Sequence, residues 1–111
     1  MESKAIVRYV RTSPRKVRQV SDLVCGKAIN EALTILKFSK QKRIANTLST
    51  LIESAAANAT VRGKIDVDNL HIKKLVVDQG PTLKRYASRA KGQGMKVLKK
   101  TSHISVVLEE R

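Results

Sequence analysis

Over residues 4–10 the chain alternates, with Ala5, Val7 and Tyr9 on one side and Lys4, Ile6 and Arg8 on the other. A period of two reads as a half-buried strand. The period then lengthens. Thr12-Ser13-Pro14 supplies a capping hydroxyl and a proline suited to a first helical turn, and Gly26 stands where a left-handed C-terminal cap belongs. The helix so bracketed, residues 14 to about 25, puts Val17, Val20 and Val24 on one side and Arg15, Lys16 and Arg18 on the opposite one.

Ile29, Ala32, Leu33 and Leu36, three and four residues apart, predict a second and shorter helix that ends near Phe38 and Ser39. Ser39 is expected to cap a third helix, from 40 to about 61. Its positions Ile44, Leu48, Leu51, Ile52, Ala55 and Ala59 keep the helical period until Gly63 stops it. Alanines at 55, 56, 57 and 59 let another element approach closely, while Thr47, Thr50, Ser54 and Asn58 form a polar, mostly uncharged outer side.

Beyond a turn-like stretch at 63–68, residues 70–77 are strand-like, and a slip in alternation at Lys73-Lys74 marks a bulge. Residues 103–108 alternate cleanly, with Ile104, Val106 and Leu108 on one side. Between these strands, residues 79–102 carry Lys84, Arg85, Arg89, Lys91, Lys96, Lys99 and Lys100 and no acidic residue. That stretch is too polar for a core and too long for a structureless loop. It is expected to continue the flanking strands outward as a hairpin whose tip is Lys91-Gly92-Gln93-Gly94. Arms of about 11 residues at roughly 3.3 Å each would project about 35 Å. Such a ribbon is marginal alone in water and should be mobile until something encloses it.

Composition limits what this frame can do. A chain of 111 residues has room for one domain, spanning 1–111, with one modest core. Its 23 Lys and Arg against 9 Asp and Glu give +14 at pH 7, so the natural partner is a polyanion. Tyr9, Phe38 and Tyr86 are the only aromatics. Aromatic-lined ligand pockets and base-stacking platforms are therefore disfavoured, and phosphate contact is the expected mode. A single cysteine allows no intrachain disulfide or thiolate zinc cluster and suits the cytosol. No apolar run approaches the roughly 20 residues of a spanning helix, and residues 1–10 lack the order of a signal peptide, so a soluble chain without a membrane partner is expected.

Catalytic chemistry finds no foothold. The Gly92-x-Gly94 pair lacks the Lys-Ser/Thr ending of a phosphate loop and opens no predicted helix, so it reads as a turn. Cys25 lies at a helix C-terminus, the wrong end for activating a thiolate, and is read as packing. His71 and His103 each lie in a strand without a second ligand at metal spacing. Asp66, Asp68 and Asp78 read as loop polarity and turn capping. No enzyme activity, cofactor or metal is expected.

Three blocks of sequence then carry a resemblance. Tyr9-Val10-Arg11-Thr12-Ser13-Pro14-Arg15-Lys16-Val17-Arg18 and Ser54-Ala55-Ala56-Ala57-Asn58-Ala59 are followed by a C-terminal series. That series comprises Asp78-Gln79-Gly80-Pro81-Thr82-Leu83-Lys84-Arg85-Tyr86, Arg89-Ala90-Lys91-Gly92 and Lys100-Thr101-Ser102-His103-Ile104-Ser105-Val106-Val107. In this order and over essentially the full chain they resemble the bacterial family of large-subunit ribosomal protein L twenty-two.

The resemblance implies an α+β body, three helices on a small three-stranded antiparallel sheet, with a long hairpin at 79–102 reaching through rRNA to the wall of the nascent-peptide tunnel. It implies rRNA contacts from Arg15, Lys16 and Arg18, with Arg8, Arg11 and Ser13 beside them. Along the hairpin it implies contacts from Lys84, Arg85, Arg89, Lys91, Lys96, Lys99 and Lys100. Lys91, Gly92, Gln93, Gly94 and Met95 would form the tip, near large-subunit protein four and the passing nascent peptide. Gly92-Gln93-Gly94-Met95 departs from the commoner pattern, in which another basic residue follows the first glycine. The implied setting is a large subunit in the cytoplasm or plastid stroma, without homo-oligomers. The alternative is a basic architectural protein that lays its ribbon in a DNA groove, and recovery with chromosomal DNA instead of large subunits would favour it.

Overall fold

The structure, a computed structural model, describes residues 2–63, 67–88 and 94–110. Strand β1 (Glu2–Val10) leads into helices α1 (Pro14–Val24), α2 (Ile29–Lys37) and α3 (Lys42–Gly63). A short 3-10 turn (Val67–Asn69) precedes β2 (Leu70–Gln79), β3 (Leu83–Ser88), β4 (Gly94–Lys99) and β5 (Ser102–Glu110). Among the described residues, β1, β5 and β2 form an antiparallel sheet in the order β1-β5-β2, and β3 and β4 form a second, two-stranded sheet. This is the expected α+β class.

Register explains the core. Ser3, Ala5 and Val7 on β1 stand opposite Leu108, Val106 and Ile104 on β5, which stand opposite Ile72, Leu75 and Val77 on β2. Apart from Ser3, one face of the sheet is thus apolar across all three strands. It packs against the helices through Val17, Leu36, Leu48, Ile52 and Ala55, all essentially inaccessible to solvent. The slip at Lys73-Lys74 is a real irregularity, between Ile72 and Lys74, and it keeps Leu70 and Ile72 on the same face as Leu75 and Val77. The small residues of α3 admit β1 closely. The buried Ser3 hydroxyl donates to the Ala55 carbonyl at 2.6 Å, and Asn58 donates to the Lys4 carbonyl at 3.3 Å.

Gly26 adopts φ +83°, as a left-handed cap requires. Its N–H donates to the Ile72 carbonyl and the Ile72 N–H donates to the Lys27 carbonyl, both at 2.9 Å. The chain leaving α1 therefore covers part of the outer edge of β2.

Five expectations need correction. Ser13 occupies the N-cap position of α1, but its hydroxyl makes no capping hydrogen bond. Ser39 does not cap α3 either. The Ala45 N–H takes the Gln41 carbonyl as the first helical acceptor, and the Ser39 hydroxyl accepts from the Gln41 N–H at 3.3 Å, ordering the connector instead. Cys25 is exposed and not packed, because the chain turns away at the helix end to reach β2. Tyr9 leaves the face of Ala5 and Val7 and is exposed, since a bulge interrupts β1 there.

The fifth concerns the hairpin, which does not simply prolong β2 and β5. The body ladder ends at Gln79↔Ser102 and the ribbon begins at Leu83↔Lys99, with three residues intervening on one arm and two on the other. Pro81 has no N–H to extend the ladder. Instead the Gly80 N–H donates to the Thr101 carbonyl at 2.9 Å, and the buried Thr101 hydroxyl donates to the Pro81 carbonyl at 2.6 Å. The ribbon then runs six pairs, to Ser88↔Gly94. The molecule measures 62 × 26 × 17 Å. Of the expected tip, Lys91, Gly92 and Gln93 lie outside the described residues, as do Arg89 and Asp66.

Candidate nucleic-acid interface

The start of α1, the start of α3 and the root of the ribbon converge around two hollows. The first, about 530 Å³, is lined by Arg11, Thr12, Ser13 and Lys16, by Gln41, Lys42, Arg43 and Ile44 of the α3 start, and by Leu98, Lys99 and Lys100. The second, about 490 Å³, is lined by Ser13, Pro14, Arg15, Lys16, Arg18, Gln19, Gln79 and Lys100. Ser13, Lys16 and Lys100 line both and form the ridge between them. Among the described residues, the two linings hold eight Lys and Arg and no acidic residue.

The helix starts strengthen that positive field. Acidic side chains are favoured in a first turn, where free N–H groups carry the positive end of the helix dipole. Neither α1 nor α3 has one there. Both begin instead with cations, and the Ser13 hydroxyl makes no capping bond, an arrangement suited to an anion.

Partly buried contacts hold this arrangement. The Ser102 hydroxyl donates to the Thr12 carbonyl at 2.6 Å, and the Arg18 guanidinium donates to the Val77 carbonyl at 2.7 Å. These bonds tie the approach to α1 and the body of the helix itself to the central sheet. Arg18 thus commits one donor to the fold while its exposed remainder faces the second hollow.

Of the residues expected to bind, Arg11, Ser13, Arg15, Lys16, Arg18, Lys99 and Lys100 are brought together. Arg8 is exposed on β1 outside both hollows, and Lys84 is exposed on β3. Arg85 takes its place on β3 opposite Val97, and Lys96 stands on β4 opposite Tyr86. Met95 and Gly94 pair with Ala87 and Ser88 at the far end of the described ribbon. Sequence reasoning missed Lys42 and Arg43. Their signal was present, a basic run at 40–43 where a helix start ordinarily carries acids.

Acidic groups act elsewhere. Glu2 and Glu109 approach the Lys73 ammonium at 2.6 and 3.2 Å. Hydrogen bonding and charge from Lys73 lower the Glu2 pKa below its usual 4.5, and the same two carboxylates raise that of Lys73. Asp68 accepts from the Asn30 amide at 3.0 Å. His71 is half-buried with Nδ1 unpartnered among the described residues, while His103 Nδ1 accepts from the Tyr9 N–H. Among the described residues, no cluster of three His, Cys, Asp or Glu could hold a metal ion, and no helix is long and apolar enough to cross a membrane.

Comparison with known proteins identifies the family. The family described as ribosomal protein L22p/L17e matches residues 5–109. The chain belongs to the uL22 family of the large ribosomal subunit. It is 54% identical to large ribosomal subunit protein uL22 of Syntrophotalea carbinolica over 111 residues, the whole of both chains. It is 52% identical to the uL22 protein of Desulfatibacillum aliphaticivorans, over 99% of this chain and 100% of that one. The Pelotomaculum thermopropionicum uL22 protein is 51% identical, over 100% of this chain and 97% of its own. The uL22 family is structural and not enzymatic.

Proposed function

We propose that this chain, as a uL22 protein, binds large-subunit rRNA through the two hollows and extends its ribbon along rRNA to the wall of the nascent-peptide exit tunnel. The observation that carries this reading is the set of eight cations, with no acid among the described lining residues, around the root of a protruding ribbon. Lys and Arg that neutralise phosphates release condensed counterions, and rigidly held cations can join RNA segments that would otherwise repel. Arg11, Ser13, Arg15, Lys16 and Arg18 act at the root with Lys99 and Lys100, and Lys42 and Arg43 join them. Arg8 reaches RNA from β1. Lys84, Arg85, Arg89, Lys91 and Lys96 continue the contact along the ribbon. Lys91, Gly92, Gln93, Gly94 and Met95 form the tip, beside large-subunit protein four and the nascent peptide. The protein works in cytoplasmic large subunits and aids their assembly.

Binding of the full chain to large-subunit rRNA at graded salt tests the root. At about 0.7 per phosphate, replacing Lys16, Lys42 and Lys100 by Gln lowers the log-log salt slope by about 2. An unchanged slope removes these residues from the phosphate interface. For the tip, a photocrosslinker at position 93 in assembled subunits should capture nascent chains, and failure to do so removes the tip from the tunnel wall.

A further inference from the structure

Among the described residues, Tyr9 is the only one other than glycine with positive φ, at 59°. That region is uncommon for a bulky residue, and such strain persists where surrounding structure over-determines it. The cause here is the bulge in β1. Val7 stands opposite Ile104 and Val10 opposite Ser102, so three steps along β1 match two along β5. The extra residue swings the phenol away from the face of Ala5 and Val7, leaving Tyr9 64% exposed.

The ring is nonetheless held. The Tyr9 N–H donates to His103 Nδ1 at 3.2 Å, and the two rings meet in a T-shaped contact with centroids 4.9 Å apart. His103 is itself wedged at the hairpin root, where a Cβ on Gly80 would lie 3.2 Å from its Cε1 and Nε2. An aromatic residue turned outward, braced from one side and flanked in sequence by Arg8 and Arg11 contributes little to the core. Arg11 is also a wall of the larger hollow.

We propose that Tyr9, braced by His103, is a stacking seat for an unpaired RNA base whose backbone is held by Arg11 and the adjoining hollow. Unstacked bases in folded RNA pair readily with aromatic faces, and a flanking guanidinium favours the same geometry. The inference rests on the rRNA reading of the hollows. It adds a contact whose strength does not come from phosphate charge.

The test measures binding of the full chain to large-subunit rRNA for Tyr9→Phe, Tyr9→Ala and Tyr9→Gly. Glycine accepts positive φ without strain, so Tyr9→Gly removes the ring while keeping the bulge. Tyr9→Phe should bind within about twofold of the parent, and Tyr9→Ala and Tyr9→Gly should weaken binding by roughly five- to a hundredfold, the range for losing one stacked base. The salt slope should not change. Full affinity in Tyr9→Gly, an equal loss in Tyr9→Phe, or a reduced slope would each overturn the stacking seat while leaving phosphate binding intact. Normal rRNA affinity with impaired incorporation into subunits would assign Tyr9 to a protein contact instead. No binding by the parent chain would overturn the rRNA reading itself and the seat with it.

Discussion

The hydroxyl of Ser102, a residue with no solvent exposure, donates to the Thr12 carbonyl at 2.6 Å, joining the strand that returns from the ribbon to the segment that opens α1. This neutral hydrogen bond, beside the Val10–Ser102 strand pairing, helps fix the spacing between Lys99-Lys100 and Arg11-Ser13, the two sides of the larger hollow. Ser102→Ala leaves the Thr12 carbonyl without this partner in a partly buried setting. The expected cost is about 1–3 kcal/mol by urea denaturation. A loss within experimental error would show that the carbonyl finds another donor and that the bond does not hold the hollow.

Gly80 gives a second prediction at the same root. A Cβ there would sit 2.6 Å from the Thr101 hydroxyl oxygen and 3.2 Å from two atoms of the His103 ring. Thr101 is a short, buried side chain already bonded to the Pro81 carbonyl, so it cannot yield without losing that bond. Gly80→Ala should destabilise the protein by about 1–3 kcal/mol and speed amide exchange at position 80, whose N–H bonds to the Thr101 carbonyl. Unchanged exchange there would mean that the root absorbs the methyl group.

The residues that escaped sequence reasoning explain its reach. Ile104, Val106 and Leu108 announce their strand because a period of two survives any tertiary arrangement with one buried face. Pro14 and Gly26 bracket α1 because their backbone constraints are local. Tyr9 could not be placed this way. Its side follows from a bulge that matches three residues of β1 to two of β5, a relation between segments far apart in sequence. Lys42 and Arg43 were visible as charges but not as neighbours of Lys16 and Lys99, because only the packing of α3 brings them there. The break at Gly80-Pro81-Thr82 was masked by the strong continuity of charge through 79–102.

Core burial and surface exposure should separate sharply for two apolar residues of the helical layer. Leu48, with no exposure, faces the sheet from α3, whereas Phe38, at the end of α2, is 76% exposed. Leu48→Ala should cost about 2–5 kcal/mol, a large part of the roughly 5–15 kcal/mol expected for a small domain. Phe38→Ala should change stability by no more than about 0.5 kcal/mol. Thermal or denaturant unfolding measured on both variants checks the assignment. A large loss at Phe38 would show that its ring covers apolar surface in the folded protein.

The Lys73 cluster has a pH dependence with a definite sign. Glu2 titrates below its ordinary 4.5 in the folded chain, so its contribution is complete above that value and disappears as pH falls through the lower folded value. Lys73 titrates above its ordinary 10.5, so its contribution is complete below that value and disappears as pH rises through the higher folded one. Lys73→Gln should therefore lower stability most across the interval between the two ordinary values, and the deficit should close at either extreme. With side chains 37–49% exposed, the effect is modest and screened by salt. Denaturant midpoints at pH 2.5 and pH 7, each at low and at molar salt, give the comparison. A deficit of equal size in all four conditions would mean that Lys73 acts through the packing of its aliphatic stem and not through its charge.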